Sequence, residues 1–183
     1  DFVERSIVNH YGGGGKKYPA MQIKGKHGYG FWGVGYGATG EEDTNDQKQF
    51  VSRVTANFGK GSSDVIHMGF SYSKFGMAGG NAVTVDGGPK ASRGSTWFGA
   101  STIDTGTNDW DMTRIGYEVA ITRGNFKFQM ESMANQYEAT LSDTTTFDKE
   151  ATTQYISLMW LVTGENYGKS YSTSKGAFGA IKP

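Results

Sequence analysis

The chain has 183 residues, with 18 lysines and arginines against 18 aspartates and glutamates, three histidines and no cysteine. Zero formal charge lacks the electrostatic footprint of a general nucleic-acid binder, and without cysteine there is no disulfide framework, thiolate metal site or cysteine nucleophile. Aromatic residues make up 14%, which argues against disorder, and no window approaches the ~18 uncharged apolar residues of a membrane-spanning helix.

The sequence opens at Asp1 without a charged segment leading into an apolar one, and stops at Pro183 within what reads as an ordered stretch. A fragment or a processed chain is expected. In chain order, strands are expected over 2–8 and 18–26, the second placing Gln22, Lys24 and Lys26 on one face. Around Trp32, Val34 and Tyr36 the opposite face is nearly bare, being Phe31, Gly33, Gly35 and Gly37. From Phe50 to Phe58, Arg53, Thr55 and Asn57 oppose Val54, Ala56 and Phe58. Next, Ile66, Met68, Phe70 and Tyr72 alternate with His67, Gly69 and Ser71. A weaker strand is expected over 95–103. Then Ile115, Tyr117, Val119 and Ile121 oppose Arg114, Gly116, Glu118 and Ala120, and Phe126, Phe128 and Met130 oppose Lys127, Gln129 and Glu131. The last run, 154–163, is fairly apolar on both faces. A period of two throughout means strands, and nine of them with no helix make an all-β chain. Gly-, Ser-, Thr-, Asn- and Asp-rich connections are expected over 9–17, 39–47, 76–93 and 141–150, and short ones near His27 and Gly28, over 59–63, and over 123–125. No domain boundary interrupts the pattern.

Alternation alone also fits a secreted sandwich or jelly roll. Three features favour a membrane wall. The strands read as about 9–13 residues, against ~5–6 in globular sheets and ~9–11 for a tilted crossing. Aromatics such as Trp32, Tyr36, Phe70, Tyr72, Trp97, Trp110, Trp160 and Tyr167 bracket the apolar faces, as girdles do in outer-membrane barrels. The opposite faces carry glycines and charges of both signs, which suits a wet interior better than a packed core.

Phe2-Val3-Glu4-Arg5-Ser6, Val51-Ser52-Arg53-Val54-Thr55, Ile66 through Tyr72, Arg114 through Glu118 and Gly124 through Glu131 form an ordered series of short motifs. The most specific is last: Trp160-Leu161-Val162-Thr163-Gly164-Glu165, then Tyr171, then Lys175-Gly176-Ala177-Phe178-Gly179-Ala180-Ile181-Lys182-Pro183. This series resembles the phosphate-selective porins of Gram-negative outer membranes. The resemblance implies an antiparallel transmembrane β-barrel, with 1–183 a single barrel segment, incomplete at both ends, of a sixteen-stranded wall. It further implies a homotrimer in contact with outer-membrane lipid and lipopolysaccharide, passing small hydrophilic solutes, chiefly anions such as phosphate, with no cofactor and no nucleic acid. A closed barrel of eight to ten strands is the alternative architecture, and a structural or adhesive surface β-protein with exposed Gly/Thr/Asn-rich loops the alternative function.

The pore-lining candidates are Lys24, Lys26, Arg53, His67, Arg114, Glu118, Lys127 and Glu131. Arginine and lysine rings select anions in pores, and arginine holds phosphate oxygens in pairs. The structural alternative pairs Arg114 with Glu118 and Lys127 with Glu131 as braces of the wall. No dense arginine run is present, so the channel role is better supported than phosphate preference, and the pore-narrowing loop is expected before Asp1. Enzymatic readings fare poorly. The histidines are scattered, Glu41-Glu42-Asp43 reads as solvated loop charge, and Gly12 through Lys17 lacks the Gly-Lys-Ser/Thr order of a phosphate loop.

Overall fold

The computed structural model describes residues 20–38, 48–59, 64–77, 83–87, 98–103, 107–141 and 144–181. The expected strand over 2–8, the glycine–lysine run at 12–17, Glu41-Glu42-Asp43 and Trp97 lie outside the described residues. Seven strands form one antiparallel sheet: β1 (Ala20–His27), β2 (Gly30–Ala38), β3 (Lys48–Phe58), β4 (Asp64–Met77), β7 (Trp110–Arg123), β8 (Phe126–Thr140) and β9 (Thr146–Trp160). They stand in the order β1-β2-β3-β4-β7-β8-β9, with β1 and β9 at the edges among the described residues. Strands β5 (Val83–Gly87) and β6 (Phe98–Ile103) form a separate hairpin inside the connection from β4 to β7.

Two expectations about connections are corrected. The loop expected over 76–93 contains β5, and the loop expected over 141–150 contains the first five residues of β9. Thr146, Asp148 and Glu150 are polar on the face that is apolar further along the strand, and Phe147 is the one apolar residue of the five, so the segment carries no hydrophobic alternation. It is nevertheless paired residue for residue with β8.

No register shift interrupts the seven strands, so each residue can be assigned to one of two faces. One carries Met21, Ile23, Trp32, Val34, Tyr36, Val54, Phe58, Ile66, Met68, Phe70, Tyr117, Ile121, Phe126, Met130, Ile156, Leu158 and Trp160, all exposed. The other carries the buried side chains, and most of these are polar: Thr55, Asn57, His67, Thr122, Lys127 and Asn135. Ile23 and Leu158 are 71% and 75% exposed, whereas Asn57 and Asn135 are 0% and 1%. This inverts the burial of a water-soluble sandwich, in which apolar faces pack together. A contiguous apolar surface of this extent requires hydrocarbon as its solvent.

The apolar band also runs obliquely across the sheet. Its lower edge on β1 is Ile23, whose row passes through Val34, Ser52, Tyr72, Ile115 and Ala134 to Thr152. On β9 the lower edge is instead Trp160, eight residues further along the strand. Eight residues of ~3.3 Å over six inter-strand steps of ~4.8 Å correspond to a strand tilt of about 43°. Outer-membrane barrels tilt their strands by ~35–45°, so the slope of the band matches a sheet inclined in a bilayer.

The two-residue turns at 28–29 and 124–125 lie at the same end of the sheet as the C-terminus of β9. The strand ends that flank 39–47 and 78–109 lie at the other end. At this end the polar face becomes apolar, Trp110 packing with Met77, Met112, Tyr137, Ala139, Leu141 and Phe147.

Candidate functional site: a cationic wall and the segment docked on it

The alternation that places Trp32 and Leu158 outward brings Lys24, Lys26, Arg53, Arg114, Lys127 and Lys149 onto the polar face. Glu118 and Glu131 are the carboxylates that share it among the described residues, whereas Asp64, Asp111, Glu138, Asp148 and Glu150 point to the other side. A chain with no net charge thus presents six cations against two anions on one surface. All eight candidates read from the sequence lie on this face.

Residues 161–181 leave the end of β9 and fold onto the same face. Leu161 N donates to Asn125 O at 2.9 Å and Tyr167 N to Gly124 O at 3.1 Å, carrying the chain across the β7–β8 turn. A short 3₁₀ turn, Gly168–Ser170, follows, then a minimal hairpin of β10 (Tyr171–Ser172) and β11 (Ala177–Phe178).

Three side chains of the wall hold this hairpin. Arg53 donates from Nη2 to Gly176 O at 2.8 Å and from Nη1 to Lys175 O at 3.3 Å. His67, 4% exposed, has its Nδ1 at 2.7 Å from the Tyr171 hydroxyl and its ring against Tyr171 and Phe178. Lys127 places Nζ over the Phe178 ring, 4.3 Å from its centroid, a cation–π contact strengthened by partial desolvation. Burial pushes the Tyr171 phenol above its ordinary pKa, against the opposing pull of Thr55 and Arg53.

Glu118 ties two of these arms together. Its Oε1 accepts from Arg53 Nε at 3.1 Å, from Arg53 Nη2, and from His67 Nε2 at 3.2 Å. With Nε2 donating to the carboxylate, Nδ1 is left as the acceptor for the Tyr171 hydroxyl. Gly69, directly across the ladder, makes room for this carboxylate, since a Cβ there would collide with it. Gly176 is tied to the wall in the same way. It adopts φ +55°, and a Cβ would lie 2.6 Å from Thr55 Oγ1.

The expected braces are rearranged. Arg114 is not the partner of Glu118. Its Nε donates to Asn135 Oδ1 at 2.8 Å, and its guanidinium lies 5.2 Å from the Phe75 ring centroid. Neighbours within a strand are outcompeted here by neighbours across the ladder, because Arg53 and His67 reach Glu118 from β3 and β4. Nor does Glu131 pair with Lys127. It accepts from Gln129 Nε2 at 2.6 Å and from the Tyr155 hydroxyl at 2.9 Å, while Lys127 turns to Phe178. Lys24 shares a row with Arg53 across Gly33, and Lys26 a row with Thr55 across Phe31. Both are exposed on the edge strand, outside the cluster.

Sequence reasoning missed the docked hairpin with Tyr171 and Phe178, the Tyr155–Gln129 support of Glu131, and Lys149. Lys149 was recoverable by extending the alternation of 154–163 backward. The docking was not, because 161–181 alternates with no fixed period.

Between the wall and the hairpin lies an open cavity of about 200 Å³ lined by Arg53, His67, Lys127, Glu131 and Phe178, among others. The arrangement suits an anion passing over the wall, with charge supplied by fixed cations and width set by the docked segment. A search of curated proteins finds no match to the chain. The family described as phosphate-selective porin O and P matches residues 1–181, nearly the whole length. With its tilted antiparallel sheet, outward apolar band and polar inner face, the chain belongs to the phosphate-selective porin O and P family.

Proposed function

We propose that this chain forms part of the wall and constriction of an outer-membrane channel that passes small anions, phosphate among them, passively down their gradient. The observation that carries the reading is the segregation of charge, six cations against two carboxylates on the polar face. A cationic lining lowers the barrier to anions and raises it to cations. In this reading the pore-lining set is Lys24, Lys26, Arg53, His67, Arg114, Glu118, Lys127 and Glu131, with their work divided. Arg53, His67 and Glu118 hold the hairpin, and Arg114, tied to a carboxylate by no ion pair among the described residues, offers its guanidinium edge to solute. Short turns mark the periplasmic end of outer-membrane barrels, so 161–181 narrows the path from the periplasmic mouth.

The reading includes assembly. Among the described residues the sheet is open at β1 and β9, and family membership supports its completion into a sixteen-stranded barrel in a homotrimer. The same membership supports placement in a Gram-negative outer membrane beside lipopolysaccharide, and a channel rather than an enzyme.

The test is the zero-current potential of the purified natural protein in planar bilayers under a potassium chloride gradient. Anion preference is expected, reduced by at least half in Arg114→Glu. Cation preference in the natural protein would refute the reading.

A further inference from the structure

The two carboxylates of the polar face are held in different ways. Glu118 is ion-paired with Arg53 and accepts a further hydrogen bond from His67. Glu131, directly opposite it across the β7–β8 ladder, has no ion pair among the described residues. Its Oε1 accepts instead from Gln129 Nε2 and the Tyr155 hydroxyl, and Gln129 also donates to that hydroxyl. Two neutral donors fix the carboxylate without cancelling its charge.

Bracing does not explain that charge. Like charges directly opposite on a ladder are destabilising, and a glutamine at 131 would still offer a carbonyl oxygen to both donors. What the carboxylate adds is its field, and it lines the same cavity as Arg53, His67 and Lys127.

We infer that Glu131 is a fixed counter-charge that limits how tightly the cationic face holds an anion, in proportion to the anion's own charge. The inference rests on the polar face being an anion path, as proposed above. Conduction needs a site that attracts enough for entry and releases fast enough for exit. A unit charge some 6 Å away in a water-like dielectric changes the occupancy of a monovalent anion by about threefold. Because electrostatic work scales with charge, the same residue changes that of a divalent anion by about threefold squared, roughly tenfold. Glu131 thereby sets the discrimination between singly and doubly charged anions, and Gln129 and Tyr155 are its positioning residues.

The test is Glu131→Gln in the natural protein in planar bilayers. Two constants are read, the chloride concentration that half-saturates conductance and the inorganic phosphate concentration that half-blocks chloride current at pH 8, where phosphate is mainly the dianion. The expected result is a fall of about threefold in the first and about tenfold in the second. Equal shifts in both constants, or none, would overturn the inference. Glu131→Asp, which keeps the charge, is expected to stay within about twofold of the natural protein in both. If it behaves like Glu131→Gln, side-chain shape is responsible and the inference fails. A natural protein without anion preference in the chloride gradient would instead remove the reading beneath it.

Discussion

Glu118 is the residue on which the docking of 161–181 turns, and replacing it by alanine has a calculable consequence. The carboxylate receives both nitrogens of the Arg53 fork and His67 Nε2, and these two side chains in turn hold Gly176, Lys175 and Tyr171. Charge-assisted hydrogen bonds contribute about 1.5–3 kcal/mol when desolvated. Here the side chains of Arg53 and Glu118 are 33% and 27% exposed, so solvent screens part of the attraction, and the three bonds share one oxygen and do not add. A loss of about 1.5–3 kcal/mol in docking follows, equivalent to roughly a 10- to 150-fold rise in the undocked population. Lys169 and Lys175 lie in the docked segment and are solvent-accessible, which makes trypsin a direct reporter. Cleavage follows the open population when opening and closing are fast. Detergent-solubilised Glu118→Ala is therefore expected to lose the segment at least tenfold faster than the natural protein, while the β-sheet signal in circular dichroism is retained. Channel records should show larger conductance and more flicker. An unchanged cleavage rate with an intact sheet would refute the argument that Glu118 holds the segment through Arg53 and His67.

Two further substitutions test other parts of the reasoning. Gly176→Ala places a Cβ at φ +55° and 2.6 Å from Thr55 Oγ1, costing about 1–2 kcal/mol for the left-handed conformation alone. It should speed tryptic release of the segment by about tenfold, and the double variant with Thr55→Ala should recover part of that; no recovery would mean the crowding is irrelevant. Leu158→Arg and Ser157→Arg put the same charge at adjacent positions on opposite faces of β9. The first meets lipid at a cost of about 2–4 kcal/mol near the midplane and should lower folding yield into vesicles at least tenfold, whereas the second should be tolerated. Equal yields would contradict the assignment of faces.

The faces of the wall were legible because a period of two survives through seven strands without a bulge, so that residues as distant as Lys24 and Glu131 fall on one surface by parity alone. The partners of the charges were not. Arg53 and Glu118 are 65 positions apart, and they meet only because β4 pairs with β7 across the excursion that contains β5 and β6. A reader of the sequence expects 95–103 to join the sheet next, and cannot see that it pairs with β5 instead. The docked segment was illegible for a different reason. Its contacts are a backbone carbonyl on Arg53, a phenol on His67 and a ring beneath Lys127, none of which imposes a sequence period. Net charge misled in its own way, since neutrality over the whole chain conceals opposite excesses on the two sides of the sheet.

That concealment has a physical cause. A wall with lipid on one side admits charge to its outward face only beyond the apolar band, where Asp111, Glu138, Asp148 and Glu150 cluster at the end of β7, β8 and β9 away from the two-residue turns. The inward face, being wet, tolerates charge along its whole height. Cations there repel one another unless they are separated, compensated or shielded, and each solution is present. Gly33 stands between Lys24 and Arg53, Glu118 compensates Arg53, and Phe178 shields Lys127. Arg114 is shielded in its turn by the Phe75 ring and is held by the neutral Asn135 amide. Its charge is positioned without being cancelled by a carboxylate among the described residues, and in the channel proposed above it is left for a passing anion.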